Sequence, residues 1–370
     1  MGNRERQDEL KDKRARVTRL LDEKKLDAVL VSSRANFAWL TCGGDDRVAA
    51  NTECGVATII ASRDSLKVFT TNIEAQRLMD EELGGEGFEV VAVPWHEDRG
   101  DHLRRLVEGL KLGADVPFPG ALDVGADLGR LRRSLLPAEV ARYREVGRSA
   151  AQALESACLG VRPGLTEFDA AAKLDAELLK RGLVPNVTLV ASDERIRLYR
   201  HPIPTVKAIE RYVMLVTCAY RWGLVAAATR IVSFGKLPPE LRMKHDAVVR
   251  VDASMMAATL PGRPAASVFE RAVRAYEEVG FPEEWRLHHQ GGATGYANRE
   301  YVATPACKET IADRQAFAWN PSITGTKSED TIVLNEGRPE VITCGSQDWP
   351  LVDVSVDGTV IRRPDILVMS

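Results

Sequence analysis

Residues 163–185, PGLTEFDAAAKLDAELLKRGLVP, and residues 261–282, PGRPAASVFERAVRAYEEVGFP, share a plan that decides how the second part of the chain is read. Each opens on Pro-Gly, continues as a helical pattern, stops at a glycine and is closed by a proline. Gly164 to Gly182 and Gly262 to Gly280 are each 18 residues apart. Glycine ends helices because it adopts left-handed backbone without a Cβ penalty. Strand-like sequence follows each stop, at residues 186–192 in the first copy and 284–289 in the second. Self-similarity of this kind predicts two α/β halves whose sheets face each other across a cleft. The same punctuation marks unrelated helices, so spacing alone leaves the repeat undecided.

Working outward, Leu136-Pro137-Ala138-Glu139 places a proline early in a long helical pattern. Its buried face is expected to carry Val140, Tyr143, Val146, Ala150, Leu154 and Ala157. A domain boundary is placed there, giving residues 1–137 and 138–370. Before it, the pattern predicts a helix at 9–21, strands at 27–31, 55–62, 66–71, 88–94 and 121–125, and helices at 72–83 and 102–112. That alternation reads as an α/β domain.

A chain of 370 residues is long enough for two domains, and a net charge of -3 gives no global field to draw in nucleic acid or an anionic membrane. The first 25 residues are too highly charged for the apolar core of a signal peptide, and no run suits a bilayer span. Cys42, Cys54, Cys158, Cys218, Cys307 and Cys344 lack zinc-type spacing and suit free thiols in a reducing cytoplasm.

Four segments of the second part carry a resemblance. Pro163-Gly164-Leu165-Thr166-Glu167 is a Pro-Gly-x-Thr-Glu turn, and Tyr199-Arg200-His201-Pro202 is a histidine-bearing segment. Residues 212–232, YVMLVTCAYRWGLVAAATRIV, form a strand pair closing on Thr-Arg. Trp319-Asn320-Pro321 is followed by Ser328-Glu329-Asp330-Thr331. In order and spacing these resemble the creatinase/aminopeptidase P/prolidase family. The resemblance implies an α/β N-terminal creatinase-like domain followed by a pseudo-twofold pita-bread (α+β) domain.

Peptidases of that family hold two divalent ions with two Asp, one His and two Glu, which lower the pKa of a bridging water and polarise the scissile carbonyl. The register set by Gly223 and Thr229-Arg230 puts the two aspartate positions on Val216 and Ala227. Gly295 sets the histidine position on Gly292, and the first glutamate falls on Asn320. Only Glu329 matches, so no metal ligands are assigned and no cofactor is expected.

The resemblance also places His201, His288 and Glu329 as catalytic groups, with His289, Arg299, Asn320 and Arg230 as substrate-binding groups. Creatinase, a family member that hydrolyses a C–N bond without metal, implies His201 as a general base, Glu329 as the partner of a cationic or N–H-rich group, and His288 and Asn320 as donors to developing negative charge. The plainer alternative is that Arg230 or Lys327 pairs structurally with Glu329. Three functions stay open: a metal-independent hydrolase acting on a C–N or related bond, a non-catalytic pseudo-peptidase that binds a peptide or small nitrogenous ligand, and a metal-dependent Xaa-Pro peptidase. The expected partner is a small molecule or short peptide, with no nucleic acid and no membrane, in a cytoplasmic homodimer of the kind common in the family.

Overall fold

The computed structural model describes residues 3–85, 87–345 and 348–369. It divides into two compact units, 1–139 and 140–370. The first is built on a six-stranded sheet in the order Glu89–Val93, Leu66–Thr71, Cys54–Ser62, Ala28–Ser33, Leu112–Ala114, Leu122–Asp123. Its strands are apolar because both faces are covered: Ala28, Leu30, Ile60, Phe69 and Leu112 share one core cluster with Leu103 and Val107. Helix Asn3–Lys24 buries Lys13 completely, and its ammonium is matched by Glu9 at 2.6 Å, Glu139 at 2.9 Å and the Trp39 carbonyl at 2.6 Å.

Two helices differ from the sequence reading. The one expected at 102–112 spans Arg99–Leu106, because Gly109 turns the chain at φ +80° and frees Leu112–Ala114 to join the sheet. The one expected at 72–83 is a short α-turn, Ala75–Arg77, continued by a π-helical turn, Leu78–Glu82.

The second unit bears out the repeat. Helices Pro137–Leu159 and Glu167–Lys180 lead into strand Val184–Ser192, and helices Pro239–Ala258 and Ala265–Glu278 lead into strand Gly291–Thr294. The two Pro-Gly turns make equivalent main-chain bonds. Gly164 N–H donates to Ile209 O at 2.9 Å and Ile209 N–H to Leu165 O at 2.8 Å; Gly262 N–H donates to Ile311 O at 2.8 Å and Ile311 N–H to Arg263 O at 2.9 Å. The stops Gly182 and Gly280 both have positive φ, +69° and +84°. The second copy departs in one respect: residues Glu284–Leu287 form a 3₁₀ turn rather than a strand, and pairing begins only at Gly291.

Each half contributes a sheet. The first is four-stranded, Leu367–Met369, Leu224–Phe234, Tyr212–Arg221, Val184–Ser192. The second is five-stranded, Tyr301–Val302, Gly291–Thr294, Ala316–Trp319, Asp330–Asn335, Arg338–Val341. Val140, Tyr143, Val146, Ala150, Leu154 and Ala157 are all buried, as their helical spacing requires. All six cysteines are free thiols, and no helix among the described residues is long and apolar enough to cross a membrane.

Candidate active site

The strand pair Tyr212–Arg221 and Leu224–Phe234 is closed by Trp222 and Gly223, both at positive φ, as a two-residue hairpin turn of matching twist requires. Alternation along the second strand sends Thr229 and Arg230 to opposite faces. Thr229 Oγ1 donates to Glu329 Oε2 at 2.7 Å, and Thr229 N–H to Glu329 O at 3.1 Å. Thr331 Oγ1 bonds both the N–H and the carbonyl of Ala227, at 2.8 and 3.0 Å. Side chains thus stitch the hairpin to the neighbouring sheet, and Glu329 is fixed where they meet.

His201 lies on a loop held by two carboxylates, one of them fully buried. Glu167, fully buried at the start of its capped helix, accepts from Ser192 N–H at 2.8 Å, Thr205 N–H at 3.0 Å and the Arg195 guanidinium. Arg200 reaches Thr324 Oγ1 at 2.8 Å and Glu284 at 3.2 Å. His288 and His289 are set by Gln290, whose amide donates to His288 O at 2.6 Å and accepts from Tyr276 O–H at 3.0 Å. The glycines after them are steric necessities: a Cβ on Gly291 would lie 2.2 Å from Ala318 O, and one on Gly292 2.1 Å from Tyr301 O.

Three imidazoles converge. His201 Nε2 and His288 Nε2 are 3.1 Å apart, and the His288 and His289 ring centroids are 4.4 Å apart. Burial, then the positive charge of Lys327, pushes the His288 pKa down to about 2. Burial and then Arg299 take His289 to about 4, and burial followed by Lys327 lowers His201. All three are therefore neutral at pH 7. Glu329 is buried, which raises a carboxyl pKa, but Lys327 and Arg299 outweigh burial and hold it below its ordinary value. The contacts are Lys327 Nζ to Oε2 at 2.6 Å and Arg299 Nη2 to Oε1 at 3.6 Å.

His201, His288, His289, Glu329 and Arg299 thus form one neighbourhood. Asn320 is buried on the strand exit beside Gln290, with its Oδ1 lacking a hydrogen-bond partner. Arg230 stands apart, committed to Glu155 at 3.3 Å, Asp330 at 3.1 Å and the Thr343 carbonyl at 3.0 Å. Behind it Arg363, completely buried, bridges Asp252 at 2.7 Å and Asp330 at 2.5 Å. Sequence reading missed Arg363 and Asp252, used Thr229 only to set register and took Glu167 only as part of the Pro-Gly turn. The Thr-Glu of the Pro-Gly turn was the available signal for Glu167.

The model for metallopeptidase family M24 matches residues 141–336, more than half of the chain. The chain belongs to that family. Among solved M24-like structures it superposes on the prolidase from Pyrococcus horikoshii with TM-score 0.78 at 18% identity, covering 91% of this chain and 99% of that one. It superposes on an Xaa-Pro dipeptidase from Bacillus anthracis with TM-score 0.78 at 19% identity, covering 97% and 100%. The N-terminal domain of a FACT complex subunit from chickpea (Cicer arietinum) aligns with TM-score 0.67 at 12% identity over 90% and 96%. No curated protein sequence matches the chain. At these identities the structural likeness establishes the pita-bread fold.

The residues at the ligand positions that the resemblance assigns do not fit two divalent ions. Val216 packs among Leu189, Met214 and Ile231, and Ala227 among Cys218, Tyr220, Val225 and Ala318. Gly292 has no room for any side chain. Asn320 is a neutral amide, and Glu329 already has the Lys327 ammonium at 2.6 Å. An M24 centre at these positions would need its carboxylates where this chain has methyl groups.

Proposed function

We propose that the chain is a hydrolase-type enzyme of the M24 family that acts on a C–N or related bond of a small molecule or short peptide without the paired metals. The observation that carries this reading is the 3.1 Å contact between His201 Nε2 and His288 Nε2, beside a carboxylate that fixed cations hold ionised. A neutral imidazole is in its proton-accepting form. His201 takes a proton from water as the water oxygen adds to the substrate carbon. The C–N bond then breaks, and the proton passes from His201 to the departing nitrogen.

Glu329 Oε2 is taken by Lys327 and Thr229, so Oε1, which Arg299 approaches at 3.6 Å, is the atom for a substrate N–H. His288, Asn320 and Arg299 face the developing negative charge, and His289 completes the substrate wall. Arg230 supports the site from behind rather than binding substrate. A cytoplasmic homodimer completes the proposal, supported by the six free thiols and by family habit.

A binding role without turnover is the second reading. Its support is that the N-terminal domain of a FACT complex subunit, a protein not named as a peptidase, has this fold. The test is an assay of chelator-treated protein on small amides, amidines and Xaa-Pro dipeptides. Turnover that persists in chelator and disappears in His201→Ala is the expected result. Tight binding without turnover selects the second reading, and turnover that needs added manganese, cobalt or zinc selects an ordinary Xaa-Pro peptidase.

A further inference from the structure

His201 and His288 are 87 positions apart in sequence, yet one ring nitrogen from each of His201, His288 and His289 lies within 4.8 Å of the others. The His201 and His288 Nε2 atoms are 3.1 Å apart. On a tetrahedral zinc ion with Zn–N bonds of about 2.0–2.1 Å, two nitrogens stand about 3.4 Å apart. We infer that His201, His288 and His289 form a three-histidine site for a single zinc-like divalent ion, separate from the paired-metal positions of the family, and that the ion acts there as a reversible inhibitor.

The ligand set selects the class of ion. Imidazoles without a carboxylate suit zinc, cobalt or nickel and serve magnesium, calcium or manganese poorly. His201 and His289 are exposed and His288 is buried, so an ion enters from solvent and keeps an open position for water. The proton between the two Nε2 atoms moves to an Nδ1 when the ion takes its place. His289 Nδ1 accepts from Gly291 N–H at 3.2 Å, a long bond that is given up if that nitrogen ligates.

Three features keep the ion from being a permanent resident. Lys327 and Arg299 repel it and Glu329 offsets only one of them. The His288 Nδ1 is buried without a partner, so it lacks the outer hydrogen bond that usually holds a ligating histidine. The third ring must also close in from its present distance. Inhibition follows because the ion occupies the lone pair that His201 uses as a base; this part rests on the proposed function, whereas binding does not.

The test is titration of the chelator-stripped full chain with Co²⁺, read by visible d–d absorption, and with Zn²⁺ by calorimetry. One ion per chain, tetrahedral-type cobalt bands displaced by zinc, and at least a tenfold loss of affinity in His289→Ala and in His288→Ala are expected. No bands and no heat, two ions per chain, or affinity indifferent to His289→Ala overturn the site. If His288→Ala does not fold, the exposed His289 variant carries the test. Zinc is expected to abolish turnover and EDTA to restore it; zinc that raises turnover or leaves it unchanged overturns the inhibition. A chain that binds cobalt but turns nothing over keeps the site and loses the hydrolase, and a chain that turns over substrate but binds no cobalt does the reverse.

Discussion

Lys327 Nζ lies 2.6 Å from Glu329 Oε2, and both side chains are at least 95% buried. Such a pair gains little over an apolar pair of the same shape, but breaking it strands a charge. Lys327→Met is expected to cost about 3–5 kcal/mol in denaturant unfolding. The double variant Lys327→Met/Glu329→Gln is expected to recover much of that loss. The sign for pH follows from the lowered Glu329 pKa: the stabilisation is present above the unfolded carboxyl pKa and is lost as pH falls through the folded value. A double variant no more stable than the single one would contradict this.

Gly292 occupies the position where the family resemblance expects a ligand histidine. Gly292→His, the substitution that would restore that imidazole, is expected to disrupt the sheet because the new Cβ meets Tyr301 O at 2.1 Å and Val302 Cα at 2.9 Å. The expected cost is about 3 kcal/mol or more. Thermal melting with and without manganese checks it, and a variant that melts at the parent temperature or is rescued by the ion would refute the steric argument.

In the first unit, burial pushes Asp46 up to about 7, against the bond from Ala57 N–H to its Oδ2 at 3.3 Å. A raised carboxyl pKa contributes stability that is full below the unfolded value near 4 and declines as pH rises to about 7. Asp46→Asn removes that decline and is expected to stabilise the first unit at pH 8 by up to about 4 kcal/mol. Denaturant midpoints at pH 4.5, 6 and 8 test this, and a variant less stable than the parent at pH 8 would count against it.

Much of the second unit was legible because its signals are local. Gly164, Gly182, Gly262 and Gly280 all have positive φ, and the Thr166 cap with Asp169 can be read from adjacent residues. Helix Arg34–Leu40 was missed for the opposite reason: Asn36, Phe37, Ala38, Trp39 and Leu40 are all buried, which erases the helical period and leaves only the Ser33 cap as a signal. The expected strand at 284–289 failed because its bonds, Glu284 N–H to Phe281 O and Arg286 N–H to Glu283 O, are those of a turn. The histidine cluster and the Arg363 bridge join residues that only the folded topology brings together.

The matched turn bonds at Gly164 with Ile209 and at Gly262 with Ile311 run between main-chain atoms alone. Any side chain compatible with the backbone preserves them. A duplicated scaffold closed in this way tolerates the replacement of its working groups, since Val216 and Ala227 can stand in one half while histidines gather from both. The architecture of this unit is therefore written in its main chain, and the side chains that face the cleft carry the chemistry without carrying the fold.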